Sequence, residues 1–552
     1  MIASSSKAPN ALKRQSRCLA IVAALRAVLF MAAPAAFAAA FPSAADWRDV
    51  PIYMIFTDRF ADGDPTNNAL TPGAKFAPTA PWGVHGGDFA GIETHLDYIR
   101  GLGARAIWIT PVFLNGPDSA WHGYGAIDLR TISPQLGGLA GLRRLIGAAH
   151  ARGIYVFLDV VMNHLGSVLT SDDPGWPHFR ADGPGYQLRW VSPTIRPAPP
   201  FDRLDWFHNR GRVENWSDPV QSVVGQFASL ADLRTELPEV RAALTEAHQQ
   251  LIRDTDCDGF RVDTVRHVEK EFWPPWCTAI RAYATGLGKT NFLMFGELAL
   301  PDDRVLAGFT GPEGAPERAF DSLLDFPFNR AVTDVVCRQA PTRRLSERLA
   351  RLTSAPYSRE SRAQLVTFID NHDGPRFLSR QKAKGDRDRL RQALVALYTM
   401  PGIPCLYYGT EQGFEGGNDP YNREDMIARL PDGATTNHFD TNSTLYRFVA
   451  ELNALRAAHP ALRVGATRVL AESADGPGLF ACLRQHGNDG VLVILNTATQ
   501  ALALPPLTLP EGFQTRATSL LRPGTTVEVG PAANAAPQIP PLSADILVAP
   551  PR

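Results

Sequence analysis

Short apolar runs alternate with longer amphipathic stretches along most of the chain. The runs have the length and the β-branched or aromatic content of buried strands, and they are 51–56, 104–109, 154–161, 259–262, 292–295, 322–326, 364–369 and 403–407. Helical periodicity fills the intervals, most clearly in 91–102, 139–152, 238–254 and 386–398. A strand followed by a helix, repeated in this way, predicts an α/β fold, the parallel (β/α)₈ barrel. The barrel is expected over 41–164 and 232–460.

Two intervals depart from this alternation. Residues 165–231 are rich in Pro, Gly, Asp, Trp and Arg and show no clear helical period. Because a structureless loop of that length is uncommon, we expect a small irregular domain inserted after the third strand, on the face where barrel active sites form. Beyond residue 460, short strand-like runs are separated by turn residues. The runs 469–471, 478–484, 490–496 and 545–549 predict a C-terminal antiparallel β-sandwich over 461–552.

Length and composition are those of a globular protein with more than one domain. The chain has 552 residues, of which 45% are hydrophobic and 20% are charged. Its net charge is −1 and it has no basic stripe with interleaved aromatic residues. These features argue against a nucleic-acid partner. We expect a monomer whose main partner is its substrate.

The N-terminus predicts export. Lys13, Arg14 and Arg17 precede an apolar stretch that ends in Ala-Phe-Ala-Ala-Ala. This pattern is typical of a secretory signal peptide, here 1–40, with cleavage near its final alanines. A membrane anchor is the alternative, and the interruptions by Arg26 and Pro34 argue against it. The mature chain is therefore expected to be secreted or periplasmic and to leave the membrane after cleavage.

The cysteines do not form a recognisable framework. Cys18 lies in the predicted signal peptide, which leaves Cys257, Cys277, Cys337, Cys405 and Cys482. An odd number without repeated spacing argues against both a disulfide scaffold and a zinc site. A single bridge stays open in an oxidising compartment, and Cys257 with Cys277 is the nearest pair.

Four short runs place carboxylates or imidazoles where apolar stretches end. They are Asp159-Val-Val-Met-Asn-His164, Gly259-Phe-Arg-Val-Asp263, Gly296-Glu297 and Asn371-His-Asp373. In a parallel barrel the C-terminal ends of the strands converge on one mouth. Glycoside cleavage needs one carboxyl as acid and another as nucleophile or base, and a third stabilises the charged transition state. A lone strand-end Asp is more often a helix cap, but three carboxylates beside two histidines and an arginine favour a glycosidase pocket.

These runs resemble the signature regions of the α-amylase family, glycoside hydrolase family 13. Further matching segments are 53–60, His122-Gly-Tyr124 with Asp128, 401–404 and 407–411. The resemblance spans 51–460 and is strongest to bacterial members of the cyclodextrin glucanotransferase and cyclomaltodextrinase branch. It implies an α-amylase that hydrolyses internal α-1,4-glucosidic bonds of starch-like glucans and maltooligosaccharides.

Matched position by position, the resemblance also implies roles for single residues. Asp263 becomes the nucleophile, Glu297 the general acid/base and Asp373 the carboxylate that holds the distorted sugar. The reaction is double displacement with retention, for which the first two carboxyls should be about 5–5.5 Å apart. The implied substrate-binding residues are Tyr124, His164, Arg261, Arg266, His267, His372 and Arg376.

Calcium is the implied cofactor, at one or two sites. The run Asp62-Gly-Asp64-Pro-Thr-Asn67-Asn68 suits a turn as well as a calcium loop. It resembles a calcium site of cyclodextrin glucanotransferases, which implies the ligands Asp62, Asp64, Asn67, Asn68, the carbonyl of Gly86 and Asp88. A second site is implied at Asn163, Asp232 and the backbone carbonyl of His267.

Two other functions remain open. One is a cyclomaltodextrinase or a glucanotransferase, which passes the glycosyl group to a sugar. Glucanotransferases of the family carry further domains after the sandwich, and cyclomaltodextrinases usually carry one before the barrel, so the domain organisation favours an α-amylase. The other is a non-catalytic glucan-binding protein built on an amylase barrel. The presence of all three carboxylates argues against it.

Overall fold

Eight parallel strands form a closed barrel in the computed structural model, which describes residues 40–311, 318–354, 356–430, 432–509, 516–529 and 536–548. The strands are β1 Ile52–Ile55, β2 Ala106–Ile109, β3 Tyr155–Val160, β4 Gly259–Val262, β5 Leu293–Gly296, β6 Ser322–Leu323, β7 Val366–Thr367 and β8 Ile403–Tyr407. Their order is β6-β5-β4-β3-β2-β1-β8-β7. A parallel bridge between Leu324 and Val366 joins the two ends of the sheet. The predicted (β/α)₈ barrel is confirmed.

The barrel strands are apolar because both of their faces are buried. Every residue of β1, β2, β4 and β5 is buried, as expected for strands covered by helices outside and by packed side chains inside. β6 is shorter than its predicted run, 322–326. Asp325 accepts a hydrogen bond from the amide of Phe328, and Pro327 occupies the first turn, so a helix begins directly after the strand.

Fourteen α-helices are seen in the described residues. They are α1 Thr57–Phe60, α2 Phe89–Thr94, α3 Leu96–Gly101, α4 Gly138–His150, α5 Gln221–Val224, α6 Pro238–Thr255, α7 Trp273–Gly286, α8 Asp303–Ala307, α9 Phe326–Val332, α10 Arg343–Ser354, α11 Arg359–Ala363, α12 Arg387–Thr399, α13 Thr444–Ala458 and α14 Pro460–Val464. The single predicted helix 91–102 is two helices that meet at His95. The ring of His95 bonds the carbonyl of Gly91 and stacks on Phe439, which fixes the break.

The segment after β3 is irregular, as the sequence predicts. Antiparallel pairing of His164–Leu165 with Ala231–Asp232 closes its base. A second short pair joins Leu169–Thr170 to Arg189–Trp190. The only α-helix in it among the described residues is α5, so loops make up most of this segment.

The C-terminal region is an antiparallel sandwich with one large and one small layer. Its strands are β9 Ala466–Ala471, β10 Leu479–His486, β11 Asp489–Asn496, β12 Leu502–Ala503, β13 Arg516–Ser519, β14 Thr526–Glu528, β15 Gln538–Ile539 and β16 Ser543–Val548. The large sheet has the order β9-β10-β11-β16-β13-β14, and β12 pairs with β15. Along β10, Phe480 and Cys482 join the barrel core, whereas Ala481 and Leu483 pack under the small layer. Strands β12 to β15 were not predicted, because each has four residues or fewer and gives a weak periodic signal.

Two predictions concern the N-terminus and the cysteines. The predicted signal peptide lies outside the described residues except for Ala40. Within the described ranges, no helix has the length and apolar content needed to cross a membrane. The bridge that the sequence left open, with Cys257 and Cys277 as the nearest pair, is not formed, because all five cysteines of the described residues are free thiols.

Candidate active site

Strands β3, β4 and β5 bring the site's acidic groups to one end of the barrel. Asp263 directly follows β4 and Glu297 directly follows β5. Within the sheet, Arg261 of β4 lies opposite Asp159 of β3 in register. Because parallel strands point the same way, these four side chains meet at the C-terminal mouth of the barrel.

Arg261 links all three carboxylates of this cluster. Its Nη1 donates to Asp263 Oδ1 at 2.7 Å and to Asp159 Oδ1 at 3.0 Å. Its Nη2 donates to Glu297 Oε2 at 2.6 Å. The Arg261 side chain is fully buried, and its contacts in the structure are with these carboxylates, so its implied role in substrate binding stays a prediction. The two carboxylates implied in catalysis are thus held by the two ends of one guanidinium.

The electrostatics of this cluster favour retention of one proton. Burial raises the pKa of Asp159 to about 6, against the opposing charge of Arg261. Burial also raises the pKa of Asp263 well above its usual value, Arg261 lowers it, and the Glu297 and Asp159 charges raise it again. Three carboxylates share one guanidinium, so two negative charges remain uncompensated if all three are ionised. The two carboxyls whose pKa rises are Asp159 and Asp263, so the charge of Arg261 is what favours the ionised form of Asp263 that a nucleophile needs.

Tyr124 and His372 extend this network. The Tyr124 hydroxyl donates to Asp159 Oδ2 at 2.8 Å and lies 2.7 Å from His372 Nε2. Since the hydroxyl proton is committed to Asp159, its oxygen accepts from His372, which places the imidazole proton on Nε2. Burial lowers the pKa of His372 well below its usual value, and the charges of Arg261 and Arg423 act in the same direction. His372 is therefore a neutral donor at the mouth.

His164 is more enclosed than its implied role suggests. Its Nε2 donates to the backbone carbonyl of Tyr124 at 3.0 Å, and its Nδ1 lies 3.2 Å from the amide nitrogen of Asn163. Burial lowers the pKa of His164 to about 4, so the ring is neutral. Both nitrogens bond within the protein, and donation to a sugar hydroxyl requires exchange of the bond to Tyr124.

Asp373 lies at the open side of the mouth beside an arginine that sequence analysis did not identify. The Asp373 side chain is 45% exposed and lies 3.8 Å from Arg423. Arg423 also donates to the carbonyl of His372 at 3.1 Å and pairs with Asp419 at 3.1 Å. Its guanidinium is 5.0 Å from the ring centroid of Trp121. Arg423 follows β8 by sixteen residues, so no strand-end signal marks it in the sequence.

Arg376, an implied substrate-binding residue, is enclosed by other parts of the protein. Its side chain is fully buried. It donates to the carbonyl of Tyr408 and to Glu424 Oε2, the latter at 3.1 Å, and it lies 3.9 Å from the ring centroid of Tyr407. These contacts use Nε, Nη1 and the flat face of the guanidinium, whereas Nη2 is buried without a hydrogen-bond partner among the described residues. Arg376 therefore holds the loops after β7 and β8 together.

Arg266 and His267 lie where the loop after β4 meets the inserted segment. Arg266 donates to the carbonyl of Trp216 at 2.7 Å, and His267 Nδ1 lies 2.7 Å from the carbonyl of Ser222. The rings of Trp216 and Phe227 each lie 5.6 Å from that of His267. Trp216 is also substantially exposed. The structure thus adds an aromatic surface beside the two predicted residues.

The first predicted calcium loop has the donors that a calcium ion needs. The Oδ1 atoms of Asp62, Asn67 and Asn68 are all buried and have no hydrogen-bond partner among the described residues. Their other side-chain atoms are fixed, since Asn67 donates to Asp88 at 2.7 Å and Asn68 donates to Asp62 at 2.8 Å. Gly86 lies so close that an added Cβ would approach Asn68 Oδ1 to 2.6 Å. Buried carboxylate and amide oxygens without hydrogen-bond partners are suitable ligands for Ca²⁺.

Asp64 differs from the other predicted ligands of this loop. It is exposed, and its Oδ1 accepts from the amide and the hydroxyl of Thr66 at 3.1 and 2.6 Å. The Asp64 carboxylate therefore caps the turn. The structure gives it no contact with the buried oxygens.

The second predicted calcium site fits less well. Asp232 is fully buried and its Oδ2 lies 2.6 Å from His208 Nδ1. Burial raises the pKa of Asp232 to about 7, against hydrogen bonds from His208 and Asn163. One of the two Asp232 oxygens is thus already bonded to an imidazole. Asn163 does lie beside Asp232, as predicted.

Fold and site together define a class of protein. A parallel barrel whose strand ends present paired carboxylates, bound by one arginine, is built like a retaining glycoside hydrolase. The family model for the α-amylase catalytic domain matches residues 54–438. The chain therefore belongs to the α-amylase family, as its sequence motifs predicted.

Curated relatives carry several activities within this family. The chain is 33% identical to a β/α-amylase of Paenibacillus polymyxa, with 82% of this chain and 34% of that protein covered. It is 32% identical to an α-amylase of Streptomyces lividans, with 79% and 53% covered. It is 30% identical to a cyclomaltodextrinase of a Bacillus species, with 81% and 73% covered. The chain thus spans about a third and about half of the first two relatives.

Solved structures match over most of the chain. An Anoxybacillus α-amylase superposes with a TM-score of 0.74 at 30% identity, covering 92% of this chain and 99% of that one. A cyclomaltodextrin glucanotransferase with a three-domain ABC distribution superposes with a TM-score of 0.73 at 28% identity, covering 90% and 99%. Since a three-domain glucanotransferase exists, the number of domains does not separate a hydrolase from a transferase. Domain organisation therefore does not favour an α-amylase over a glucanotransferase for this chain.

Proposed function

We propose that this protein is a retaining glycoside hydrolase that cleaves internal α-1,4-glucosidic bonds of starch-like glucans and maltooligosaccharides. The observation that carries the proposal is the contact of Arg261 with both Asp263 and Glu297, at 2.7 and 2.6 Å. Through these contacts, Arg261 fixes the positions of the Asp263 and Glu297 carboxyls at the mouth of the barrel. Names of relatives, which include α-amylases, support the substrate class.

In the first step, a carboxylate oxygen of Asp263 attacks the anomeric carbon. The bond from that carbon to the bridging oxygen breaks, and Glu297 transfers its proton to the departing oxygen. In the second step, Glu297 takes a proton from water, and the water oxygen displaces Asp263. Arg261 stays charged throughout and stabilises whichever of the two carboxyls is ionised. Two inversions at one carbon give net retention.

Groups around the pair position the sugar. Asp373 is the exposed carboxylate of the mouth and can accept hydrogen bonds from two sugar hydroxyls. Arg423 lies beside it as a donor, and the neutral His372 holds Tyr124 in place through its Nε2 proton. Hydroxyl contacts that strengthen in the transition state raise the rate of the first step.

Two amide variants test the proposal. Asp263→Asn removes the nucleophile and Glu297→Gln removes the acid, so each should lower kcat on soluble starch by about a thousandfold or more. Proton NMR of the first product formed by the unaltered protein should show the α-anomer. Asp321→Asn is the matched control. Asp321 also pairs with an arginine, Arg281 at 3.1 Å, but it immediately precedes β6 and so lies at the opposite end of the barrel.

The expected pattern is loss of turnover in both site variants, with melting temperatures near that of the unaltered protein, and retained turnover in the control. Near-normal kcat in either site variant would overturn the assignment. A β-anomeric first product would contradict retention.

Glycosyl transfer is the second candidate, and the aromatic surface formed by Trp216 and Phe227 favours it. The two rings lie 4.9 Å apart beside His267. Aromatic faces bind sugar rings well, so an incoming glucan can compete with water for the glycosyl group. Chromatography of the products formed from maltotriose distinguishes hydrolysis from glycosyl transfer. Products longer than maltotriose that disappear in Trp216→Ala indicate transfer, whereas glucose and maltose alone indicate hydrolysis.

We further propose that Ca²⁺ occupies the Asp62–Asn68 loop and that the chain is exported. Three unpaired buried oxygens support the first proposal. The basic and apolar pattern of residues 1–40 supports the second.

A further inference from the structure

A histidine and two glutamates converge at the base of the inserted segment. His208 belongs to that segment, Glu236 precedes α6 and Glu269 follows β4. One ligand atom from each lies within 4.8 Å of the others. Across the described ranges, this is the one group of three His, Cys, Asp or Glu side chains with such spacing. It includes none of the residues of the Arg261 carboxylate cluster.

The His208 ring is oriented for ligation. Asp232 Oδ2 lies 2.6 Å from His208 Nδ1, so the proton on that nitrogen is directed to Asp232. The opposite nitrogen, Nε2, then faces Glu236 Oε2 at 3.4 Å. Two donors around a tetrahedral Zn²⁺ ion lie about 3.3 Å apart, given metal–ligand bonds of about 2.0–2.1 Å. A carboxylate behind a ligating histidine is the usual way in which such a ring is held.

Carboxylates outnumber cationic side chains in this group. Asp232, Glu236 and Glu269 are three carboxylates, and the neighbouring arginine is Arg234, whose Nε donates to Glu236 Oε1 at 2.9 Å. Burial lowers the pKa of His208, but the hydrogen bonds and charges of Asp232 and Glu236 raise it to about 9, so a divalent cation that binds Nε2 must displace a proton from this nitrogen. Imidazole with carboxylates favours a transition metal, whereas Ca²⁺ takes oxygen ligands alone.

Access to this group comes from a large cavity in the inserted segment. Its volume is about 920 Å³, and His208, Arg234 and Glu236 line it. Tyr186 and Phe207 form part of its apolar wall. A metal ion can therefore enter from solvent, and a water molecule has room to complete a fourth coordination position.

We propose that His208, Glu236 and Glu269 bind one divalent transition-metal ion, with Zn²⁺ as the best fit, and that Asp232 orients His208 for it. The ion joins the inserted segment to the barrel and is separate from the Asp62–Asn68 loop. This inference does not depend on the proposed hydrolase activity.

Isothermal titration of the full chain tests the site. The protein is stripped with chelator, dialysed into excess Ca²⁺ to fill oxygen-ligand sites, and titrated with Zn²⁺. We expect one equivalent to bind, with a dissociation constant weakened by about tenfold or more in His208→Gln and in Glu236→Gln. The matched control is His459→Gln, since His459 pairs with Asp489 at 2.9 Å without a third donor. It should bind Zn²⁺ as the unaltered protein does.

Visible absorption with Co²⁺ in place of Zn²⁺ gives a second readout, because a tetrahedral site with an imidazole ligand produces bands that disappear in His208→Gln. Absence of a saturable one-to-one isotherm in the unaltered protein would overturn the proposal. So would equal affinity in the unaltered protein and both variants, or complete displacement of Zn²⁺ by Ca²⁺. If His208→Gln fails to fold, Glu236→Gln decides, since the Glu236 side chain is 39% exposed.

Discussion

Arg261 determines how the acidic groups of the mouth are arranged. It is fully buried, and it contacts Asp159, Asp263 and Glu297 within 3.0 Å. A buried charge of this kind is stable only when paired, so the three carboxylates and the arginine stabilise one another. The planar fork of a guanidinium has two terminal nitrogens, which allows one side chain to hold two carboxyls at a fixed separation.

Arg261→Lys tests this role. A single ammonium cannot bridge Asp263 and Glu297 in the same geometry, so kcat should fall by about a hundredfold or more while the charge is retained. Because Arg261 lowers the pKa of Asp263, its less effective replacement should also move the acid limb of the pH–rate profile upward.

The measurement is kcat on maltoheptaose between pH 4 and pH 8. The control is Arg281→Lys, which alters an arginine beside Asp321, immediately before β6. An unchanged kcat with an unchanged acid limb in Arg261→Lys would show that the guanidinium fork has no catalytic importance.

At the scale of elements, helix α6 carries a buried histidine against the barrel. His248 Nδ1 donates to the carbonyl of Leu244 at 2.7 Å, and the ring packs on Phe260 and Trp276. Its Nε2 is buried and has no partner within the described part of the chain. Burial lowers the pKa of His248 from 6.5 to about 4, so the folded protein holds it neutral.

This histidine predicts acid sensitivity. Its folded pKa lies below its unfolded one, so protonation favours the unfolded chain. The stabilising effect is complete above about pH 6.5 and is lost as the pH falls towards 4, at a cost of up to about 3 kcal/mol. His248→Gln keeps a donor without a titrating charge, and it should flatten the fall in melting temperature between pH 6.5 and 4.5. The exposed His486 provides the control, and equal slopes in His248→Gln and in the unaltered protein would refute the prediction.

At the scale of the whole molecule, the Asp62–Asn68 loop connects the region after the first barrel strand with the region after the last one. Asp62 Oδ2 accepts from Asn68 at 2.8 Å and from Arg429, beyond β8, at 3.1 Å. A calcium ion in this loop therefore stabilises contacts between the start and the end of the barrel. A ligand bound only by the native state raises the free energy of unfolding.

Excess chelator should therefore lower the melting temperature by several degrees, and added Ca²⁺ should restore it. In Asp62→Asn the chelator effect should shrink, because one charged ligand is lost. Asp64→Asn is the matched control, since the Asp64 carboxylate is exposed and bonds Thr66. Differential scanning calorimetry with and without chelator measures the melting temperatures of the unaltered protein and of the two variants. A melting temperature insensitive to chelator in the unaltered protein would exclude the calcium proposal for this loop.

The barrel strands and the catalytic carboxylates could be predicted from the sequence, because local patterns of apolar and acidic residues mark them. Apolar runs buried on both faces identified the barrel strands, and carboxylates directly after such runs, Asp263 and Glu297, marked the mouth. The convergence of parallel strand ends does not depend on the loops between them. The family motifs then supplied roles that spacing alone did not.

The tertiary structure decided what depends on the path of the loops. Arg376 lies three residues after the run that ends at Asp373 but is buried against Tyr407, whereas Arg423, far from any run, reaches Asp373. Asp64 and Asp62 have the same side chain two positions apart, yet only Asp62 presents an unpaired buried oxygen. His208 meets Glu236 and Glu269 because the inserted segment folds back on the barrel. Strand ends follow from periodicity within the chain, whereas these contacts depend on distant segments packing together, which no local pattern encodes.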